Sequence, residues 1–150
     1  MTRAFVLGPA AASGAMGSVH RAHDEHGRLI AAKRLLDATH AARQQIEARI
    51  LSALDHPRVV KVLGLVDGHL LMEWIDGTDL ATLLQREGTP GLPAEKVLAW
   101  TLEAAEGLAY VHAEQTVHRD VKPHNLMLAP GRGIVVQRPV WWAHERMYGT

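Results

Sequence analysis

The sequence predicts an α+β chain, strand-rich in its first half and opening its second half with one long helix. Three observations carry that expectation. Residues 18–23 and 29–35 form two strand-like runs around the polar turn Asp24-Glu25-His26-Gly27. Residues 59–66 and 70–75 repeat the arrangement around Asp67-Gly68. Residues 94–114 instead place Val97, Leu98, Leu102, Ala105, Leu108, Ala109 and His112 on the helical period.

Taken in order, residues 4–7 read as a short strand that Gly8-Pro9 interrupts, and residues 10–17 are a run of small residues with no period. The hairpin follows. Asp37 or Thr39 could cap the next helix, whose Ile46, Ile50, Leu51 and Leu54 give one apolar face before His56-Pro57 ends it. After the second hairpin, Asp76-Gly77 marks a break and the expected boundary between two parts, residues 1–76 and 77–150. Leu80, Leu83 and Leu84 suit a short helix stopped by Gly88. Pro93 then stands where helices begin. Residues 126–129 and 134–136 read as two strands about Pro130-Gly131.

Composition narrows the function classes. Lys and Arg number 16 and balance 16 Asp and Glu, so no general electrostatic attraction to nucleic acid or anionic membrane is expected. The absence of Cys excludes disulfide scaffolds, thiolate zinc sites and cysteine nucleophiles. No apolar run reaches membrane-spanning length and no signal-peptide core follows the first residues, so the expectation is a cytoplasmic chain without a membrane segment. His20, His23 and His26 run through a strand and its turn, a spacing that does not converge on one metal ion.

Three signals carry chemistry, and their order matters more than any one alone. Gly14 and Gly17 lie in a small-residue loop ahead of Val19, where backbone N–H groups can approach phosphates closely. A strand pattern follows, which disfavours the dinucleotide fingerprint, since that opens a helix. Lys33 ends the apolar run Ile30-Ala31-Ala32; buried lysine needs a partner, and Glu47 on the next helix is a candidate. Read singly, the loop is an ordinary turn and Lys33 an edge-strand cation. The third signal is His118-Arg119-Asp120-Val121-Lys122-Pro123-His124-Asn125, which sets a carboxylate, a cation and an amide in one loop after the long helix.

With these residues the chain resembles the protein kinase family, of the bacterial serine/threonine type, from Phe5 to about Val136. The resemblance implies a kinase-like α+β fold: an antiparallel-sheet N-lobe with one main helix, plus the first part of a mainly helical C-lobe. Ala12 replaces the first glycine of the family loop, while Gly14, Gly17 and Val19 match the rest. Lys33 matches the lysine on the α- and β-phosphates of ATP, and Glu47 its helix partner. Leu71-Met72-Glu73-Trp74-Ile75 resembles the hinge, with Met72 as gatekeeper and the backbones of Glu73 and Ile75 facing adenine. Asp79 falls where the family places an acidic ribose contact, and Val19, Ala31 and Met127 would sandwich the base. For each apolar residue alone, ordinary core is the plainer reading.

In the loop, the resemblance makes Asp120 the base for the substrate hydroxyl, Lys122 the counter-charge to the transferred phosphoryl group and Asn125 a metal ligand. His118 and Arg119 are expected to be structural. Lys122, two residues after Asp120, is the serine/threonine pattern. The implied cofactors are ATP and Mg2+, and the implied partner is a protein with a Ser or Thr acceptor.

The sequence then departs from the family. Where Asp-Phe-Gly follows the second strand, this chain has Gln137-Arg138-Pro139, with no carboxylate for the metal. Met147-Tyr148-Gly149-Thr150 resembles the end of an activation segment, so a reading-frame disturbance across residues 137–143 is one expectation. With no further C-lobe helices after Thr150, the apolar face of the long helix is expected to lie open or to meet a partner. The readings kept open are an impaired kinase domain, a catalytically inactive kinase-like nucleotide- or partner-binding module, and a gene fragment without function.

Overall fold

The structure, a computed structural model, describes residues 5–14, 17–35, 41–137 and 143–144. The chain divides into two compact units: Met1–Leu54 with Lys61–Trp74, and Asp55–Val60 with Ile75–Thr150.

The first unit is a five-stranded antiparallel sheet with one helix. Its strands are β1 (Phe5–Gly14), β2 (Gly17–Asp24), β3 (Leu29–Arg34), β4 (Val62–Val66) and β5 (His69–Glu73), in the order β1-β2-β3-β5-β4. The turns are set chemically. Asp24 Oδ1 accepts the N–H groups of His26 and Arg28, both at 2.9 Å, and Gly27 takes φ 73°. At the β4–β5 hairpin Asp67 (φ 48°) and Gly68 (φ 72°) are both left-handed, as a tight two-residue turn requires. Ala22, Ile30, Ala32 and Leu71 are buried together beneath Phe5, Leu63 and Val66.

Two expectations are corrected in this unit. Gly8-Pro9 does not interrupt a strand: β1 runs through it, with register shifts between Leu7 and Ala12. The strand lies at the sheet edge, where proline costs no ladder bond, and a Cβ on Gly8 would sit 2.9 Å from the Arg21 carbonyl. The helix α1 (Ala41–Ser52) buries Gln44, Glu47, Ala48 and Leu51, while Ile46 is 53% exposed. That inner face follows the helical period as regularly as the expected one, but it carries a carboxylate. Lys61 Nζ closes the end of α1 by donating to the carbonyls of Ser52 and Leu54 at 2.9 and 3.0 Å. The expected caps, Asp37 and Thr39, lie outside the described residues.

The second unit is built on helices α2 (Leu80–Glu87) and α3 (Ala94–Ala113). Short strands β6 (Thr78–Asp79), β8 (Leu126–Ala129) and β9 (Gly133–Val136) form one sheet, and β7 (Thr116–Val117) pairs with β10 (Ala143–His144). Residues 59–60, expected inside a strand of the second hairpin, belong here: Val59 bridges Val136, and Val60 N–H donates to the Val136 carbonyl at 3.0 Å. His56 stacks on Tyr110, whose hydroxyl accepts the Asp55 N–H at 2.9 Å. Val59, Val60, Val111, Ile134, Val135 and Val136 are all buried.

Helix α3 faces this core with Ala104, Gly107 and Val111. Small residues are required there, since a Cβ on Gly107 would lie 2.8 Å from the Arg58 carbonyl and 3.0 Å from Val136 Cγ2. The larger apolar residues of the expected stripe point away: Leu98 is 62% and Leu102 58% exposed. Beside them, Leu80, Leu84, Leu92, Val97, Trp100, Thr101, Pro123 and Leu126 line an apolar cavity of about 190 Å³.

Candidate active site

Four of the predicted residues of the first unit share one sheet face, while Glu73 alternates to the other and Glu47 lies on α1. Val19 is registered opposite Lys33, and Ala31 opposite Met72. Directly opposed residues share a face, as do residues two apart on a strand. Val19, Ala31, Lys33 and Met72 therefore lie on the same side. Gly14 and Gly17 close the β1–β2 hairpin as opposed residues, and the tip between them is outside the described residues. Lys33 is half-buried on β3.

Glu47 is 5% exposed on the inner face of α1. Its Oε1 lies 3.4 Å from Arg43 Nε, one helical turn earlier. Burial pushes the Glu47 carboxyl above its ordinary value, and Arg43 draws it part of the way back. Arg43 was not singled out from the sequence, although its four-residue spacing from Glu47 is the signal that finds it. At the hinge-like segment, the Glu73 N–H donates to the Lys61 carbonyl at 2.9 Å and its carboxylate accepts the Lys61 N–H at 2.9 Å. Trp74 carries the guanidinium of Arg21 over its ring at 4.8 Å.

In the second unit the loop after β7 brings Asp120, Lys122 and Asn125 together. Asp120 Oδ2 accepts from Lys122 Nζ at 3.1 Å and from Asn125 Nδ2 at 3.0 Å. The same Asn125 amide donates to the Asp120 carbonyl at 2.7 Å, closing the loop on itself. The Lys122 hydrogen bond does most to hold the Asp120 carboxyl below its ordinary value, and Asn125 adds to it against partial burial. A carboxylate so placed stays ionised at neutral pH, as a proton acceptor must.

His118, 1% exposed, supports this loop from below. Its Nδ1 accepts the Asp120 N–H at 3.2 Å, so the ring proton sits on Nε2, which donates to the Gln137 carbonyl at 2.6 Å. Gln137 N–H in turn donates to the Asn125 carbonyl at 2.8 Å. Arg119 takes φ 66°, a left-handed conformation that non-glycine residues hold only when the surroundings impose it.

Three further predicted residues sit in this unit. Met127 on β8 is half-buried and registered opposite Asp79. Asp79 is first a helix cap: its two oxygens accept from Thr82 N–H at 2.8 Å and from Thr82 Oγ1 at 2.7 Å. Ile75 is buried, and its carbonyl accepts the Gly77 N–H at 3.1 Å.

A family model described as "Protein kinase domain" matches residues 7–135, most of the chain. The chain belongs to the protein kinase family. A probable serine/threonine-protein kinase of Streptomyces coelicolor is 36% identical over 138 residues, covering 83% of this chain and 20% of that protein. Serine/threonine-protein kinase pkn2 of Myxococcus xanthus is 38% identical over 128 residues, covering 78% of this chain and 15% of pkn2. Serine/threonine-protein kinase PknF of Mycobacterium tuberculosis is 38% identical over 127 residues, covering 78% of this chain and 27% of PknF. The chain thus spans roughly a quarter or less of the length of these relatives. Within the family it is of the bacterial serine/threonine type, and the expected kinase-like α+β fold is the one observed. Among the described residues, no helix is long and apolar enough to cross a membrane.

Protein kinases use ATP and a divalent metal, which makes the donor set worth testing. The one carboxylate of the loop over residues 118–125, Asp120, already meets the charge of Lys122. Asn125 spends its amide nitrogen on Asp120, leaving Oδ1 as its donor oxygen. The residue after β9 is Gln137, a neutral amide at the position where the sequence reading expects the family's second metal carboxylate. Mg2+ gives up water reluctantly and is held by charged oxygens. One neutralised carboxylate and two amides do not fit it.

Proposed function

We propose that the chain is a serine/threonine protein kinase domain that binds ATP and directs its γ-phosphoryl group to a protein hydroxyl. The observation that carries this reading is the closed loop of Asp120, Lys122 and Asn125. It supplies an ionised acceptor and a half-exposed cation 3.1 Å from each other. In the proposed reaction the oxygen of a Ser or Thr side chain attacks the γ-phosphorus while the bond to the ADP oxygen breaks. The hydroxyl proton passes to Asp120. Lys122, half-exposed beside it, turns to the transferring phosphoryl oxygens, where charge is spread in the transition state.

In the first unit, Lys33 serves the α- and β-phosphates and Glu47 orients it. The glycines of the β1–β2 hairpin offer backbone N–H groups to phosphate oxygens. Val19, Ala31 and Met72 form the apolar face for adenine, and Met127 on β8 is a further apolar contact in this proposal. The hinge backbones of Glu73 and Ile75 supply the polar contacts to the base, and the Asp79 lone pairs left over from capping serve the ribose. In this proposal residues 1–76 are the N-lobe and residues 77–150 the partial C-lobe. Residue 137 favours a second reading, a kinase-like module that binds nucleotide and transfers phosphate feebly or not at all.

Transfer of labelled phosphate from ATP to a generic protein substrate tests the proposal. Lys33→Met and Asp120→Asn should each lower the rate by about 100-fold or more. Transfer that survives both substitutions would remove these residues from the mechanism.

A further inference from the structure

The frame around Gln137 separates two properties that travel together in an active kinase, holding a nucleotide and holding its metal. The N–H of residue 137 is tied to Asn125 and its carbonyl to His118, which also holds the Asp120 N–H. The main chain therefore delivers residue 137 beside the catalytic loop, at the place where a second charged oxygen is needed. The side chain it delivers is an uncharged carboxamide. Asp120 and Lys122 together sum to no net charge at that place, so little draws a dication in.

We infer that this chain holds a nucleoside triphosphate without help from a divalent cation, the phosphate charge being met by lysine and backbone N–H groups alone. The inference rests on the nucleotide-binding reading proposed above. It makes Gln137 the residue that sets metal dependence. A carboxylate there would join Asp120 as a second anionic oxygen donor, with Asn125 Oδ1 as a neutral one. The charge of the Asp120, Lys122 and residue 137 side chains together would pass from neutral to −1, and a divalent cation would then tighten binding.

Isothermal titration of the full chain with a non-hydrolysable ATP analogue, once in EDTA and once in excess Mg2+, tests the inference without relying on activity. Wild type should bind in both solutions with dissociation constants that agree within about threefold. Gln137→Asp should bind at least about tenfold more tightly in Mg2+ than in EDTA, while Gln137→Asn should stay indifferent. If Mg2+ tightens wild-type binding tenfold or more, the inference is overturned and the nucleotide-binding reading stands. If Gln137→Asp gains no more than wild type, residue 137 does not set metal dependence and the inference fails. No heat in either solution from a chain that circular dichroism shows to be folded would overturn the nucleotide-binding reading itself. The wild-type comparison stands even if a variant does not fold.

Discussion

Replacing His118 with alanine probes the loop at its foundation. The ring is almost fully buried and makes two hydrogen bonds to main-chain groups, Asp120 N–H at 3.2 Å and Gln137 carbonyl at 2.6 Å. Alanine leaves both groups without that partner in a place where water does not reach easily. Each orphaned buried polar group costs about 1–3 kcal/mol, and the vacated ring volume adds a cavity term. The two groups together come to about 2–6 kcal/mol before the cavity term, a large share of the 5–15 kcal/mol typical of a whole domain. Asparagine is the informative companion, because its amide oxygen can stand near Nδ1 and recover the bond from Asp120. His118→Asn should therefore lose about half as much. Equilibrium unfolding in urea, followed by far-ultraviolet circular dichroism, reads both values, with unchanged m-values confirming a like-for-like comparison. A loss below about 1 kcal/mol for His118→Ala would refute the reasoning, for it would mean that the loop holds its shape without the ring.

Two further expectations follow from the same geometry. Asp79→Ala removes both bonds to Thr82 and should cost about 1 kcal/mol in urea unfolding, while Asp79→Ser should recover most of it as an alternative cap. Glu47 and Asp120 should respond to pH with opposite signs. Burial raises the Glu47 carboxyl, so its contribution favours the fold below its unfolded value and is lost as pH rises through the folded one. Glu47→Gln should thus stabilise the chain at neutral pH, with a gain that fades toward the acid range, as thermal unfolding across pH will record. The Asp120 carboxyl is lowered, chiefly by Lys122. Its contribution is present above the unfolded value and disappears as pH falls through the folded one, so the gap between wild type and Asp120→Asn should close in acid.

The hairpins were legible because turn chemistry is local: Asp67-Gly68 demands left-handed backbone, and few arrangements other than a tight hairpin use it. The closure of the loop over residues 118–125 was legible for a related reason, since its side chains meet within six residues. What the sequence hid depends on neighbours far along the chain. Gly8-Pro9 reads as a break until the strand is seen at a sheet edge with a carbonyl close behind it. Ile46 reads as core until Glu47 proves to be the inward residue, a reversal that only its burial exposes. On α3 the apolar stripe drew attention to the leucines, whereas the packed face is Ala104, Gly107 and Val111, chosen for thinness against Arg58 and Val136. Period alone does not separate a close-packed small face from a broad apolar one. Arg58 shows the same limit: it reaches Glu103, Glu106 and the Arg132 carbonyl, partners that no short-range pattern announces.

The bonds that hold residue 137 explain how the loop keeps a catalytic shape around a side chain that does not suit the metal. Each of them is made by main chain: the N–H to Asn125, the carbonyl to His118. Any residue other than proline supplies both groups, so exchanging a carboxylate for an amide there leaves this scaffold untouched. The same is not true of Asp120 or Asn125, whose side chains are themselves part of the closure, Asn125 through two bonds to Asp120. Loss of either would open the loop as well as remove its chemistry. The site therefore has positions where function and folding are fused, and one where they are separable. Residue 137 is the separable one, and it is one of the positions where the sequence reading finds a departure from the family pattern.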